Sequence, residues 1–395
     1  MLKQAAAGPR PGLVFRLLAL LVLFLLLPAG LADAESNPGD SPVQPVVEAN
    51  SAVLLEAASG QVLYDKNPHE HRPQASTTKI TTAIVALEKG KLTDKVQISK
   101  TAAETPESAI WLEEGEELTL EQLMYALMLF SANDAASAIA EHIGGSEAKF
   151  AEMMNAKARE IGAKDSHYVN PHGLDNPNHY TSAYDLAILA RYGLTKVPGF
   201  AGIVRTQEKH IPWAGHPYER VLRNRNKLLK TYPGADGVKT GYTNDAGRCL
   251  VASATRQGMQ LIAVVMDSPD MFKETALLLD WGFAHYIKQD LVTTDQPVRQ
   301  VQVKDGLANR ITARTAKDVT LALTPEDMSK VKVEVDLPER LEAPVAKQQK
   351  LGIMEIIAPG QPLITVDLLS DSSVARKSKW QLFWERLGGW LSSLF

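Results

Sequence analysis

The chain has 395 residues, a formal net charge of −4 and a single cysteine, Cys249. This length is ample for a sizeable hydrophobic core. The acidic balance argues against a global basic field for nucleic acid, and one cysteine cannot form an intramolecular disulfide. Because Cys249 lies in the apolar run CLVA, the pattern predicts a buried core thiol, not a nucleophile.

Residues 1–34 have the layout of a secretory signal peptide. Three basic residues, Lys3, Arg10 and Arg16, precede the apolar run 17–27, and the small-residue pattern Ala-Asp-Ala ends at residue 34. The run is short for a transmembrane helix, which needs ~20 apolar residues. We therefore predict cleavage after residue 34, with an uncleaved anchor as the alternative. Residues 35–45 are polar and contain proline, as in a flexible lead-in.

Residues 46–292 combine helical and strand patterns. A hairpin is predicted over 53–64, followed by a helix with apolar residues at i, i+3, i+4 and i+7 from Ile80. Thr119 and Gln122 predict a capping box for a second helix, which is interrupted at 131–134. A third helix starts near Ser182, three strands fall at 238–243, 249–254 and 260–266, and a closing helix covers 272–286. This order predicts an α+β domain with an antiparallel sheet of about five strands and helices on both sides.

The character changes after residue 292. Isolated valine, leucine and isoleucine residues alternate with polar ones over 293–370, which predicts a small all-β domain. Residues 371–395 form a basic linker and an amphipathic helix from Ser378 to Phe395. The apolar face of the helix would contain Trp380, Phe383, Trp384, Leu387, Trp390, Leu391 and Leu394. The basic residues of the linker and the helix are Arg376, Lys377, Lys379 and Arg386. This composition favours a helix in the membrane interface, with docking on the protein itself as the alternative.

Three short motifs could carry chemistry. Ser76 and Lys79 form an S-x-x-K pair at a helix start, where the lysine amine can reach the serine hydroxyl and the helix N-terminus can stabilise an oxyanion. Partial burial would help Lys79 to lose its proton and act as a base. Ser131 and Asn133 lie in a helix break as S-A-N, and Lys239, Thr240 and Gly241 begin a strand as K-T-G. Each motif alone is also compatible with capping, snorkelling or a close backbone approach.

The conjunction of the three motifs, in this order and in these structural contexts, resembles the low-molecular-weight penicillin-binding proteins that are serine-type D-Ala-D-Ala carboxypeptidases. The stretches ASTTK at 75–79, NPHGL at 170–174 and GVKTGYT at 237–243 add to the resemblance. It covers residues 49–286 and, less specifically, the rest of the chain. It implies a β-lactamase/transpeptidase-like fold and removal of the terminal D-alanine of peptidoglycan pentapeptides, without a cofactor or metal.

The same resemblance implies a role for each motif residue. Ser76 would be the nucleophile and Lys79 its base, while Ser131 would relay a proton to the departing D-alanine. The substrate-binding residues would be Asn133 for a substrate amide, Lys239 for positive potential, Thr240 for the terminal carboxylate, and Gly241 and Tyr242 along the strand. The N–H groups of Ser76 and Tyr242 would form the oxyanion hole. Implied partners are peptidoglycan stem peptides, β-lactams as covalent inhibitors and the outer face of the cytoplasmic membrane, with no nucleic acid.

Two positions depart from the family pattern. Ala132 stands where many relatives have glycine, a change of one methyl group. Met271 stands where relatives often carry an arginine before the phenylalanine matched here to Phe272, which places recognition of the terminal carboxylate in question. Arg248 is nearby in the sequence, but the sequence alone gives no reason for it to substitute.

Other interpretations are weaker. His167, His172 and His179 lie in a loop without the i,i+4 spacing of a helical zinc site, so a structural role is favoured. His69 and His71 precede Ser76, but no G-x-S-x-G elbow or companion Asp motif accompanies them. A β-lactamase would need a deacylating Glu after Ser131, and the region 166–173 contains none. A catalytically silent wall-binding protein is the remaining alternative, and three intact motifs argue against it.

Overall fold

The structure is a computed structural model that describes residues 43–392; the predicted signal peptide and most of the predicted lead-in lie outside the described residues. The elements of the first part, in chain order, are β1 Ser51–Glu56, β2 Val62–Lys66, a 3-10 turn Ala75–Thr78, α1 Lys79–Lys89, β3 Lys95–Gln97, α2 Lys100–Ala103, β4 Glu117–Thr119, α3 Leu120–Tyr125, a π-helical turn Ala126–Phe130, α4 Asn133–Gly144, α5 Glu147–Ile161, α6 Ala183–Lys196, α7 Phe200–Val204, β5 Glu208–Ile211, β6 Arg220–Arg223, α8 Leu228–Thr231, β7 Ala235–Thr243, β8 Gly247–Arg256, β9 Met259–Met266 and α9 Met271–His285.

The central sheet of this part has five strands in the order β2-β1-β9-β8-β7, and every neighbouring pair is antiparallel. Alternate residues of β1 enter different cores. Val53 and Leu55 pack with the helical region that includes α1 and α4, whereas Ala52 and Leu54 pack on the side of α9. The sheet is therefore covered by helices on both faces, as the sequence predicts, and β7 is left as an edge strand beside the 3-10 turn.

The second part contains β10 Ile287–Val292, β11 Pro297–Lys304, β12 Arg310–Thr315, β13 Val319–Leu323, α10 Pro325–Met328, β14 Lys332–Asp336, β15 Arg340–Glu342, β16 Lys350–Ile357, β17 Ile364–Ser370 and α11 Lys379–Ser392. Six strands form a sheet in the order β14-β16-β17-β12-β11-β15, in which only β11 and β15 are parallel. This sheet has its own apolar core, which includes Val301, Ile356 and Val366. The small all-β domain that the sequence predicts after residue 292 is confirmed.

Two local features differ from the sequence expectations. Ser76 lies in the 3-10 turn just before α1, so Lys79, not Ser76, is the first residue of the α-helix. The second helix ends in a π-helical turn before its break, and Ser131, which follows this turn, adopts a left-handed conformation with φ 69°. β10, which ends at Val292, pairs with β13.

Candidate active site

Ser76 and Lys79 are brought together by the 3-10 turn that leads into α1. The Thr77 hydroxyl donates to the Gln74 carbonyl at 2.6 Å, and the Thr78 hydroxyl donates to the Ala75 carbonyl at 2.8 Å, which holds the turn closed. With this turn fixed, the Lys79 Nζ lies 2.9 Å from the Ser76 Oγ. The predicted nucleophile and base are therefore within hydrogen-bond reach.

The Lys79 amine has three oxygen atoms as close neighbours. Besides Ser76, it lies 2.7 Å from Asn133 Oδ1 and 2.6 Å from the His172 carbonyl. Both of these oxygens only accept hydrogen bonds. A neutral amine has two N–H groups for them and one lone pair left for the Ser76 hydroxyl. The geometry thus fits a neutral lysine that accepts the serine proton.

The surroundings of Lys79 favour the same neutral state. Its side chain is fully buried, and burial lowers its pKa well below the usual lysine value. The nearby positive charges of Lys239 and Arg225 lower this pKa further. Burial is the larger cause and the repulsion between positive charges is the smaller one. Both disfavour a charged ammonium beside Ser76.

The S-A-N motif lies where the π-helical turn meets α4. Ser131 ends the turn in its left-handed conformation, and Asn133 is the first residue of α4. Asn133 is held from two sides, because its backbone N–H donates to the Ser108 carbonyl and its Nδ2 donates to the Pro106 carbonyl at 2.9 Å. Its Oδ1 is thereby aimed at Lys79. The methyl group of Ala132 is accommodated in a fully buried position.

The K-T-G motif lies in the middle of the edge strand β7. A Cβ atom added to Gly241 would lie 3.1 Å from both the Gln74 carbonyl oxygen and the Thr77 nitrogen, so the glycine permits the strand to run closely beside the 3-10 turn. The Lys239 side chain is buried and its Nζ donates to the Thr240 carbonyl at 3.0 Å. Burial, with a smaller effect of Arg225, lowers the pKa of Lys239 to about 7.

These elements surround a cavity of about 510 Å³, a volume in the ordinary range for ligand pockets. Six predicted site residues line it: Ser76, Ser131, Asn133, Thr240, Gly241 and Tyr242. The two remaining ones, Lys79 and Lys239, are buried and contact residues of the cavity wall. All eight residues named from the sequence therefore gather at one place.

The structure adds residues that the motifs did not identify. Arg225 lines the cavity, donates to the Ser108 hydroxyl at 3.0 Å and lies over the ring of Phe130 at 4.7 Å. Asp134 is fully buried beneath the S-A-N motif and accepts hydrogen bonds from the Ile110 and Leu112 N–H groups. Burial raises the pKa of Asp134. No periodic or motif signal marks Arg225, whereas Asp134 directly follows S-A-N.

The histidine-containing loop takes a structural role. His172 contributes its main-chain carbonyl to Lys79, and the His179 Nε2 lies 2.8 Å from the Thr78 hydroxyl. Burial lowers the pKa of His172 to about 3 and that of His179 to about 4, so both rings are neutral near pH 7. Within residues 43–392, no group of His, Cys, Asp and Glu side chains is arranged to hold a metal ion. Gly173 lets the loop approach, since a Cβ there would lie 1.9 Å from the Ala75 oxygen.

Met271 and Arg248 both line the same cavity. Arg248 is exposed, and its nearest hydrogen-bond acceptor among the described residues is the Pro269 carbonyl at 3.5 Å. A cation is therefore present on the wall that contains Met271, although it is supplied by β8 and not by the start of α9.

Comparisons with known proteins agree with this geometry. A family profile described as D-alanyl-D-alanine carboxypeptidase matches residues 39–270, and one described as penicillin-binding protein 5, C-terminal domain, matches residues 286–376. The chain is 40% identical over 339 residues to the D-alanyl-D-alanine carboxypeptidase DacF of Bacillus subtilis, covering 84% of this chain and 85% of that protein. It is 33% identical to DacD of Escherichia coli, covering 91% and 96%. Penicillin-binding protein 5 of Haemophilus influenzae has a similar structure, with a TM-score of 0.75, 31% identity and coverage of 86% and 100%.

Proposed function

This chain belongs to the D-alanyl-D-alanine carboxypeptidase family, and on that premise we propose that Ser76 is its nucleophile and Lys79 the base that activates it. The enzyme is a serine-type D-Ala-D-Ala carboxypeptidase that acts on peptidoglycan stem peptides and binds penicillins. The observation that carries the assignment is the buried Lys79 amine at 2.9 Å from the Ser76 hydroxyl.

In the first half of the reaction, the Ser76 Oγ attacks the carbonyl carbon of the penultimate D-alanine, and its proton passes to the Lys79 lone pair. The N–H groups of Ser76 and Tyr242 stabilise the oxygen that becomes negative. The edge position of β7 supports this arrangement, because an extended peptide can lie along the unpaired side of an edge strand.

Collapse of this intermediate breaks the peptide bond and leaves an ester on Ser76. The departing D-alanine nitrogen takes a proton through the Ser131 hydroxyl. Thr240 binds the terminal carboxylate, with positive potential from Lys239 and from Arg225, which the motifs alone did not identify. Water then hydrolyses the ester. With a penicillin, the Ser76 Oγ attacks the β-lactam carbonyl, the ring C–N bond breaks, and the penicilloyl ester that forms on Ser76 is hydrolysed slowly.

Intact-mass spectrometry after penicillin treatment tests the nucleophile. The wild-type chain should gain one penicillin, which is retained over hours, and Ser76→Ala should gain none while keeping its folded circular-dichroism spectrum. Release of one D-alanine from a defined pentapeptide should disappear in the same variant. An adduct on Ser76→Ala would exclude Ser76, and rapid loss of the wild-type adduct would favour a β-lactamase.

We also propose that the enzyme is exported and rests on the outer face of the cytoplasmic membrane through α11. In α11, the exposed fractions are 73% for Trp380, 54% for Phe383 and 62% for Trp384. Large exposed aromatic residues on one helix are typical of interfacial binding. The side chains of Trp390, Leu391 and Leu394, which the sequence places on the same face, lie outside the described ones. Within residues 43–392, no helix has the length and apolar character needed to cross a bilayer.

Vesicle co-sedimentation tests this anchor. The chain from residue 35 to 395 should bind vesicles that contain anionic lipid, whereas a chain ending at residue 375 should remain in solution. Both should release D-alanine from a small peptide at the same rate. If the shortened chain unfolds, or if the longer one ignores the vesicles at low salt, α11 belongs to the protein core.

A further inference from the structure

One face of the β-rich sheet carries two arginines on either side of a glutamine. Gln302 of β11 pairs in register with Arg310 of β12 and with Arg340 of β15. Side chains that are opposite one another on neighbouring strands project to the same face of a sheet. All three residues are exposed, so they form a short line across three strands, here called the arginine row.

The positive charge of the arginine row has no acidic partner among the described residues. The Arg310 guanidinium contacts Gln300 Oε1 at 3.4 Å, and that of Arg340 contacts Gln302 Oε1 at 3.4 Å, both long for hydrogen bonds. Three neighbouring cations, by contrast, each form an ion pair with a carboxylate. These pairs are Lys304 with Glu342, Arg376 with Asp305 and Lys377 with Glu385.

The arginine row forms one wall of a cavity of about 450 Å³ between the sheet and the start of α11. Lys304, Asp305 and Lys377 also line it, and Leu382 and Glu385 of α11 contribute the opposite wall. Two unpaired guanidiniums around a polar cavity offer forked donors, which match the oxygens of a phosphate.

The position of α11 beside this cavity is fixed by backbone hydrogen bonds. The N–H of Lys377 donates to the Asp305 carbonyl at 2.8 Å, and the N–H of Leu307 donates to the Ala375 carbonyl at 2.8 Å. The segment before α11 is thus attached to the turn between β11 and β12. As a result, Leu382 and Glu385 face the cavity, whereas the three exposed aromatic residues of α11 are on the opposite side of the helix.

We propose that the arginine row binds the phosphate of an anionic membrane lipid, an inference that rests on the proposed membrane anchoring by α11. A helix lying in the interface buries its apolar face ~5–10 Å into the boundary between headgroups and acyl chains. Because a helix is about 10 Å across, its protein-facing side lies at the level of the lipid phosphates. Leu382 and Glu385 line the cavity from that side of α11, so a headgroup phosphate beside the helix is at the level of the cavity.

This arrangement divides membrane binding into two contributions. Insertion of the aromatic side chains of α11 depends on apolar area and is indifferent to the headgroup charge. The arginine row contributes only where the lipid phosphate belongs to a net negative headgroup. The preference for anionic lipid should therefore reside in the β-rich domain, not solely in the basic residues next to α11.

The test compares variants of the chain 35–395 on two kinds of vesicle, phosphatidylcholine alone and phosphatidylcholine with phosphatidylglycerol. Arg310→Gln combined with Arg340→Gln should weaken binding to the anionic vesicles about 30-fold, since each cation near the surface contributes ~1 kcal/mol. Binding to phosphatidylcholine should not change. The matched control is Lys317→Gln with Lys332→Gln, which removes the same charge from exposed positions at the far end of β12 and on the opposite edge strand β14. This control should retain most of the affinity.

Each other outcome has a defined meaning. If the arginine variant binds anionic vesicles as the wild type does, the inference is wrong and the anchor proposal stands. Equal losses on both vesicles would make the arginines a support for α11 and would also overturn the inference. Saturable binding of glycerol phosphate or inorganic phosphate that the variant loses, without a change on vesicles, would assign the site to a soluble anion. If the wild-type chain binds neither kind of vesicle, the anchor proposal is wrong and this inference falls with it. Release of D-alanine from a soluble peptide, measured on the same variants, tests the catalytic proposal independently of vesicle binding.

Discussion

The peptidase region and the β-rich region bury different kinds of side chain. The peptidase region buries ionisable groups in its centre, including Lys79, Asp134, Arg220 and Lys239. Among the described residues of 293–376, the buried polar side chains are limited to the uncharged Thr315, Thr324 and Ser370. Burial of a charge is unfavourable unless the group is paired or neutralised. The contrast therefore marks the peptidase region as the one in which burial shifts the pKa of ionisable side chains.

The largest effect should come from the buried lysine. Lys79→Ala removes the base while leaving the Ser76 hydroxyl, so penicillin acylation should slow about 10³-fold, within the range for general-base catalysis. Lys350→Ala, an exposed lysine of the β-rich sheet paired with Asp367, should not change the rate. Stopped-flow acylation measures both. Equal rates for wild type and Lys79→Ala would contradict the lysine-dependent mechanism.

Two ion pairs of similar geometry test the effect of burial on stability. Arg220 and Glu116 are 2.6 Å apart with 3% and 2% of their side chains exposed, whereas Lys304 and Glu342 are 2.8 Å apart with 48% and 62% exposed. Arg220→Ala leaves a buried carboxylate unpaired and should lower the free energy of unfolding by about 3–5 kcal/mol. Lys304→Ala should lower it by about 0–1 kcal/mol. Urea denaturation compares them, and similar losses would refute the distinction.

Two glycines in the left-handed region make a second matched pair. A Cβ on Gly173, with φ +91°, would lie 1.9 Å from the Ala75 oxygen, whereas Gly360, with φ +67°, has nothing within 4 Å. Gly173→Ala should displace the turn that carries Ser76 and slow acylation about 10²-fold. Gly360→Ala should cost only the strain of its own backbone, about 1–2 kcal/mol of stability. Unchanged acylation in Gly173→Ala would show that the turn is not positioned by this loop.

The smallest expected effect is a shift in the pH profile. In the proposed mechanism, acylation requires neutral Lys79 and charged Lys239, so kcat/KM should rise with pH as Lys79 loses its proton and fall above a pKa of about 7 as Lys239 does. Arg225 lowers the pKa of both lysines. Arg225→Gln should therefore move both limbs to higher pH, whereas Arg314→Gln in the β-rich region should move neither. If both limbs of the Arg225→Gln profile lie at the wild-type pH values, Arg225 does not influence the protonation of the two lysines.

The sequence by itself determined the family and, through it, the reaction. Three motifs in order carry the resemblance that names eight candidate site residues, and they can be recognised in the sequence because the members of each motif lie within a few residues of one another. Alternation of apolar residues likewise determined the β-rich domain, since a two-residue period has few structural interpretations.

Other features depend on contacts between distant segments. The carbonyl of His172 on Lys79, the guanidinium of Arg225 on the Ser108 hydroxyl and the alignment of Arg310 with Arg340 join residues that are 93, 117 and 30 positions apart. Only the tertiary structure decided these, because burial and long-range proximity, which set the pKa of a lysine or the occupant of a cavity, leave no local pattern in the chain.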